Sequence, residues 1–137
     1  MRMRRILTRE DMHDYQGAAI DFVKEVAERS DTKGVALWCS MGAGKTGIVL
    51  TALSDLLEDF EVGLALIVAP KKVAWTTWLA ELERWSHLQG VKLSVIKGSP
   101  QARLRAMADP TAQVHAINRE LVPWLVDAVM KEPFLRA

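Results

Sequence analysis

The chain has 137 residues, room for one domain with a sizeable core, since single domains commonly run to about 100–200 residues. Half of the residues are apolar, 26% are charged and the formal net charge is +1, which excludes a disordered tail, a fibrous protein and a globally basic nucleic-acid binder. Any nucleic-acid contact must come from local groups, and the single cysteine, Cys39, excludes an internal disulfide framework and suits a reducing compartment.

The opening Met1-Arg2-Met3-Arg4-Arg5-Ile6-Leu7 imitates the basic head of a secretion signal, but Thr8-Arg9-Glu10-Asp11 stands where its apolar stretch should be. A cytoplasmic location is expected. Tyr15, Ala19, Phe22, Val23 and Val26 recur at helical spacing, with Asp21, Lys24, Glu25 and Glu28 on the other face. That spacing predicts an amphipathic helix ending near Asp31-Thr32-Lys33-Gly34. Val35-Ala36-Leu37-Trp38-Cys39 predicts a buried strand, followed by a turn of small residues. From Lys45 to Phe60, Val49, Leu53, Leu56, Leu57 and Phe60 mark the apolar face of a second helix. Leu64 to Val68, between Gly63 and Ala69-Pro70, predicts a second strand. It belongs to the longest nearly apolar run, which is about half the length of a membrane-spanning helix, so no membrane contact is expected.

A helix with Trp75, Trp78, Leu79, Leu82 and Trp85 on one face follows. Leu93–Ile96 predicts a short strand, Gly98-Ser99-Pro100 a break, and Gln101–Met107 a helix. Gln113–Ile117 predicts a fourth strand, and Leu121, Trp124, Leu125, Val126 and Val129 a last helix, with Pro123 harmless in its first turn. Strand and helix alternate, and the strands are near-continuously apolar. This predicts an α/β fold in which a parallel sheet carries helices on both faces. With no repeat, low-complexity tract or linker, residues 1–137 read as one domain.

The chemistry concentrates in Met41-Gly42-Ala43-Gly44-Lys45-Thr46, between an apolar strand and a helix start, where a phosphate-binding loop belongs. The glycines let backbone N–H groups converge on phosphate oxygens, and the helix N-terminus adds a positive dipole end. Lys45 then reaches the β- and γ-phosphates and the Thr46 hydroxyl ligates Mg²⁺, so ATP with Mg²⁺ is the expected ligand. A plain glycine turn with a surface lysine fits the flanking strand and helix less well. His13, His87 and His115 are scattered without metal-ligand spacing, and Cys39 reads as packed rather than nucleophilic.

Cys39 takes the place of the first glycine in the common G-x-x-x-x-G-K-T form. A small residue, two variable residues, then Gly-x-Gly-Lys-Thr resembles the loop of superfamily 2 helicases and translocases. Met41-Gly42 before Ala43-Gly44-Lys45-Thr46 looks most like the Swi/Snf-type branch and its phage relatives. Asp14-Tyr15-Gln16, about 30 residues earlier, resembles the Q-motif, which implies that Gln16 reads the adenine edge; the alternative is a glutamine on the helix surface. Val68-Ala69-Pro70-Lys71-Lys72 resembles motif Ia, whose strand end touches the nucleic-acid backbone. The resemblance implies DNA phosphate contacts at Pro70, Lys71 and Lys72, although two adjacent lysines also suit a solvated turn. Trp78 to Glu81 resembles the W-x-x-E pattern of the helix behind, and its tryptophans read as core anchors because they share the apolar face. In Ile117-Asn118-Arg119-Glu120, Arg119 replaces the aromatic of an Asn-Tyr-Glu, and Asn118 is either a phosphate contact or the N-cap of the next helix.

The resemblance runs from about Leu7 to Pro133 and implies an incomplete RecA-like ATP-binding domain. Its parts are a Q-motif-like helix (1–34), the loop strand and helix (35–60), and the motif Ia and Ib region (61–130). In the family a strand ending in Asp-Glu follows, yet the acids after Glu120 are Asp127 and Glu132, and neither ends an apolar strand. A positioned base contributes about 10²–10⁴-fold and an arginine finger about 10³–10⁵-fold. The expectation is therefore an ATP-binding segment of a DNA helicase or translocase that hydrolyses ATP only at background rate alone. Such a sheet has a gap beside Val35–Cys39, closed by a changed strand order, by self-association or by a protein partner. A shortened helicase-like protein that obstructs a partner helicase or nuclease complex is the alternative; a small P-loop kinase lacks room for its acceptor lid.

Overall fold

A computed structural model describes residues 5–29, 34, 36–37 and 44–132. The chain divides into two units, Met1–Gly63 with Ala80–Gly90, and Leu64–Leu79 with Val91–Ala137.

The first unit is built on two packed helices, α1 (Asp14–Glu28) and α2 (Lys45–Glu58). Ile20 of α1 meets Ile48 and Ala52 of α2, with Met12, Ala19, Val23 and Leu37 packed around them. The buried arc of α2 is broader than its large apolar residues suggest, because it includes Gly47, Thr51 and Ser54, while Val49, Leu53 and Leu57 are only half-buried. Phe60, read as part of that face, lies past the helix end and is 93% exposed. There the Phe60 N–H bonds the Leu57 carbonyl and the Glu61 N–H bonds that of Leu56, at 3.3 and 3.0 Å. This is a Schellman C-terminus with Phe60 at the left-handed position (φ 58), which glycine usually fills. Arg9 grips Asp55 of α2 through both guanidinium nitrogens at 2.8 and 2.7 Å, and Lys24 of α1 joins at 3.1 Å. The bond from Arg9 holds the Asp55 carboxyl below the usual carboxylate range. Leu7 bridges the chain at Trp85, its N–H bonding the Arg84 carbonyl and its carbonyl accepting from the Ser86 N–H.

The second unit carries a three-stranded parallel sheet of β1 (Ala65–Ala69), β2 (Leu93–Ile96) and β3 (Val114–Asn118), in the order β1-β3-β2. Register pairs Ala65 with Val114 through Ala69 with Asn118, and Leu93 with Val114 through Ile96 with Ile117. Side chains alternate across the sheet. One face buries Ala65, Ile67 and Ala69 of β1, and the helical turn Val73–Thr77 packs on β1 and β3. On the other face Ile96 and Ile117 meet Leu125 of α5 (Val122–Lys131), with Ala106 and Met107 of α4 (Pro100–Met107) alongside. The α/β reading with helices on both faces holds. Leu66 and Val68 of β1 stay 51% and 49% exposed.

The expected strand Val35–Cys39 falls mostly outside the described residues; Ala36 and Leu37 belong to no strand. The tryptophan-bearing helix also departs from expectation. Val73–Thr77 winds as a π-helix before α3 (Trp78–Arg84), a geometry that widens the turn.

Candidate functional site

Gly44 stands at the N-cap of α2 with φ 80, a left-handed conformation that an L side chain adopts only under strain. Lys45 and Thr46 are the first two residues of the helix, and no acidic residue occupies its first turn. The leading N–H groups of a helix have no intrahelical partner, so this terminus suits an anion. Met41, Gly42 and Ala43 lie outside the described residues.

Gln16, 29 positions before Lys45, is buried against this terminus rather than spread on the helix surface. Its Oε1 accepts the His13 N–H at 2.9 Å, and its Nε2 would stand 2.4 Å from a Cβ placed on Gly44. Tyr15 stacks its ring on His13 at 5.6 Å. The arrangement brings Gln16, Gly44, Lys45 and Thr46 together in one unit. An added methyl would fill the space where the carboxamide touches Gly44. Among the described residues no group of three His, Cys, Asp or Glu could hold a metal ion.

A second group gathers at the carboxyl ends of the strands. Pro70, Lys71 and Lys72 follow β1, and the Lys71 ammonium lies 4.6 Å from the Trp75 ring centroid. Lys97, directly after β2, lies 5.1 Å from the same ring. Sequence reasoning missed Lys97, because only the fold brings it to Trp75. Among the described residues no carboxylate comes within ion-pair distance of Lys71 or Lys97. Trp75 and Trp78 are half-buried, and among the described residues their enclosed indole N–H groups meet no acceptor.

Asn118 ends β3 and occupies the N-cap position of the turn Arg119–Leu121, but its side chain caps nothing. Its Nδ2 donates to Glu120 Oε2 at 2.9 Å, and its buried Oδ1 has no partner among the described residues. That bond, above all, keeps the Glu120 carboxyl below its usual range. The capping alternative is thereby corrected: the carboxylate two residues on captures the donor amide.

Residues 9–117 match the family described as type III restriction enzyme, res subunit. The chain belongs to that family. The res-subunit match is a helicase-like ATP-binding domain of the P-loop class, and it spans Gln16, Gly44 to Thr46, Pro70 to Lys72 and Lys97, ending one residue before Asn118. The chain is also similar to protein p41 of Acyrthosiphon pisum secondary endosymbiont phage 1, at 41% identity over 98 residues. That match covers 71% of this chain and 21% of p41, so the chain spans about a fifth of this relative's length. Among the described residues no helix is long and apolar enough to cross a membrane.

Proposed function

We propose that this res-subunit-family chain is the ATP-binding segment of a superfamily 2 DNA helicase or translocase, of the Swi/Snf-like type with phage relatives. The observation that carries the reading is the start of α2, where Lys45 and Thr46 follow a left-handed Gly44 that packs on buried Gln16. Lys45 supplies the charge for the β- and γ-phosphates, the first-turn N–H groups bond their oxygens, and Thr46 Oγ1 ligates Mg²⁺. The family resemblance gives Gln16 the adenine edge, a role for which its carboxamide must turn away from Gly44 and the His13 N–H. Mg²⁺ neutralises phosphate charge when bound. DNA runs over the strand ends beside Pro70, held through its phosphates by Lys71, Lys72, Lys97 and Asn118; hydrolysis and movement on DNA belong to the whole protein.

Titration calorimetry of Mg·ATP tests this. Lys45→Ala should weaken binding at least about 100-fold, the value of a lost charge-assisted phosphate contact. Equal affinity in the variant would remove the loop from the function.

The interaction-protein reading draws on a separate observation, the half-exposed Leu66 and Val68 on β1, a strand with one neighbour among the described residues. Exposed strand edges recruit partners. Light scattering that gives one monomer mass from micromolar to millimolar chain would dismiss self-association through this strand.

A further inference from the structure

Gly47 is the third residue of α2, and glycine in a helix costs about 1 kcal/mol relative to alanine. The reason for glycine here lies in what reaches it. A Cβ on Gly47 would stand 3.0 Å from Glu81 Oε1 and 3.2 Å from Trp85 Nε1. These two atoms are themselves bonded, the Trp85 Nε1–H donating to Glu81 Oε1 at 2.7 Å. Trp85 is buried, Gly47 is buried and the Glu81 side chain is 16% exposed, so the pair closes on the helix in a largely dry place. Arg84 lies 3.9 Å from the second Glu81 oxygen. A carboxylate beside the first turn of a helix also favours the positive end of its dipole. Hydrogen bonds to a charged acceptor are the stronger class, and they hold best where water is excluded.

We infer that Glu81, locked by Trp85, is a positioning residue for the phosphate loop: it bears on Gly47 and so fixes the first turn of α2, which carries Lys45 and Thr46. The inference rests on the ATP-binding reading above and adds to it the residue that sets the site's geometry. Glu81 touches neither phosphate nor metal in this assignment. Its effect passes through the backbone of Lys45 to Ile48, whose first helical bond runs from the Ile48 N–H to the Gly44 carbonyl. A side chain at Gly47 would crowd this contact.

The test has two readouts on the whole chain with three substitutions. Amide hydrogen exchange is followed in the nucleotide-free protein, and Mg·ATP and metal-free ADP affinities are measured by calorimetry. Glu81→Ala and Gly47→Ala should each speed exchange at residues 45–48 selectively and weaken Mg·ATP about tenfold, a bond of this class. Metal-free ADP, which uses neither the γ-phosphate contact nor Thr46, should lose less. Glu81→Gln keeps an acceptor oxygen for Trp85 and should stay within about twofold of the parent chain. Parent-like exchange in both alanine variants overturns the inference. So does faster exchange spread evenly over α1 and α2, which marks a general loss of stability, or a selective change in exchange with unchanged Mg·ATP affinity. A parent chain that binds no nucleotide sinks the ATP-binding reading instead, and the exchange data alone then decide whether Glu81 fixes the turn.

Discussion

At the start of α2 the protein is closed on itself. Gly44 has the Gln16 carboxamide against it, Gly47 has Glu81 and Trp85, and Asp55 further along is tied to Arg9 and Lys24. At the strand ends the opposite holds: Lys71 and Lys97 share one indole ring and have no acid within ion-pair distance among the described residues. Closure suits a compact ligand whose few oxygens must meet fixed donors, since a misplaced donor loses most of its value. Loosely held ammonium groups suit a long polyanion, for which summed charge matters more than any one geometry. The two regions should therefore fail differently when altered, the first through packing and the second through charge.

The largest effect is expected from the smallest added group. Gly44→Ala puts a side chain at φ 80, costing about 1–2 kcal/mol. It also drives a methyl to 2.4 Å from Gln16 Nε2, and overpacking of this kind costs about 1–3 kcal/mol. Urea unfolding should show the sum, about 2–5 kcal/mol, a large part of the stability of a small domain. Adding Gln16→Ala removes the clash and leaves the backbone strain, so only part should return. A Gly44→Ala chain as stable as its parent would show that the region is not closed in this way.

Both regions were partly legible in the sequence. The apolar runs around Leu66 and Ala116 place β1 and β3 within one residue, because a buried strand leaves an unbroken apolar run. The α1 stripe finds the helix but not its face or its end: Tyr15 and Phe22 are exposed, Gln16 and Ile20 are buried instead, and the helix stops at Glu28 rather than near Asp31. The face of α2 was less legible, since Gly47, Thr51, Ala52 and Ser54 bury a helix without looking like core. Trp75, Trp78, Leu82 and Trp85 have α-like spacing, so nothing in it betrays the π turn at Val73–Thr77. Loop Lys45 is visible from motif and flanks alone, but Lys97 and Glu81 are assigned by contacts that depend on folding. For Asn118 the local pattern left a phosphate contact and a cap both open, because it does not show that Glu120 takes the amide donor.

On the charged side, effects should be smaller and salt-dependent. Lys71→Ala and Lys97→Ala should each weaken binding of a labelled single-stranded oligonucleotide by about three- to tenfold at low salt. Each should also reduce the slope of log affinity against log salt by about 0.7. The double variant should add the two losses and lower the urea midpoint only slightly, because among the described residues neither lysine is in an ion pair and each gives up only an exposed contact with the Trp75 ring. Anisotropy titrations over a salt series measure this. A slope unchanged in the double variant would take DNA away from the strand ends.

The last comparison takes one histidine from each unit. Burial, as the main cause, pushes both His87 and His115 below the ordinary value of 6.5; Arg9 adds to this at His87, while Asp55 opposes it there and Asp109 opposes it at His115. In both cases the unfolded chain binds more protons than the folded one below about pH 6.5. The stability due to keeping these rings neutral is therefore complete above that pH and lost as pH falls through it. Urea midpoints should drop between pH 7.5 and pH 5, and each histidine replaced by leucine should remove part of the drop. The two replacements should differ at pH 7.5. His87 Nε2 lies 2.8 Å from the hydroxyl of fully buried Thr51, so His87→Leu strands that hydroxyl and should cost about 1–3 kcal/mol. Among the described residues His115 Nδ1 is enclosed without a partner in β3, so His115→Leu leaves that nitrogen's site no worse and should be close to neutral. If His115→Leu proves the costlier of the two, the ring has a polar partner in solution, and the region behind β3 is more open than its packing indicates.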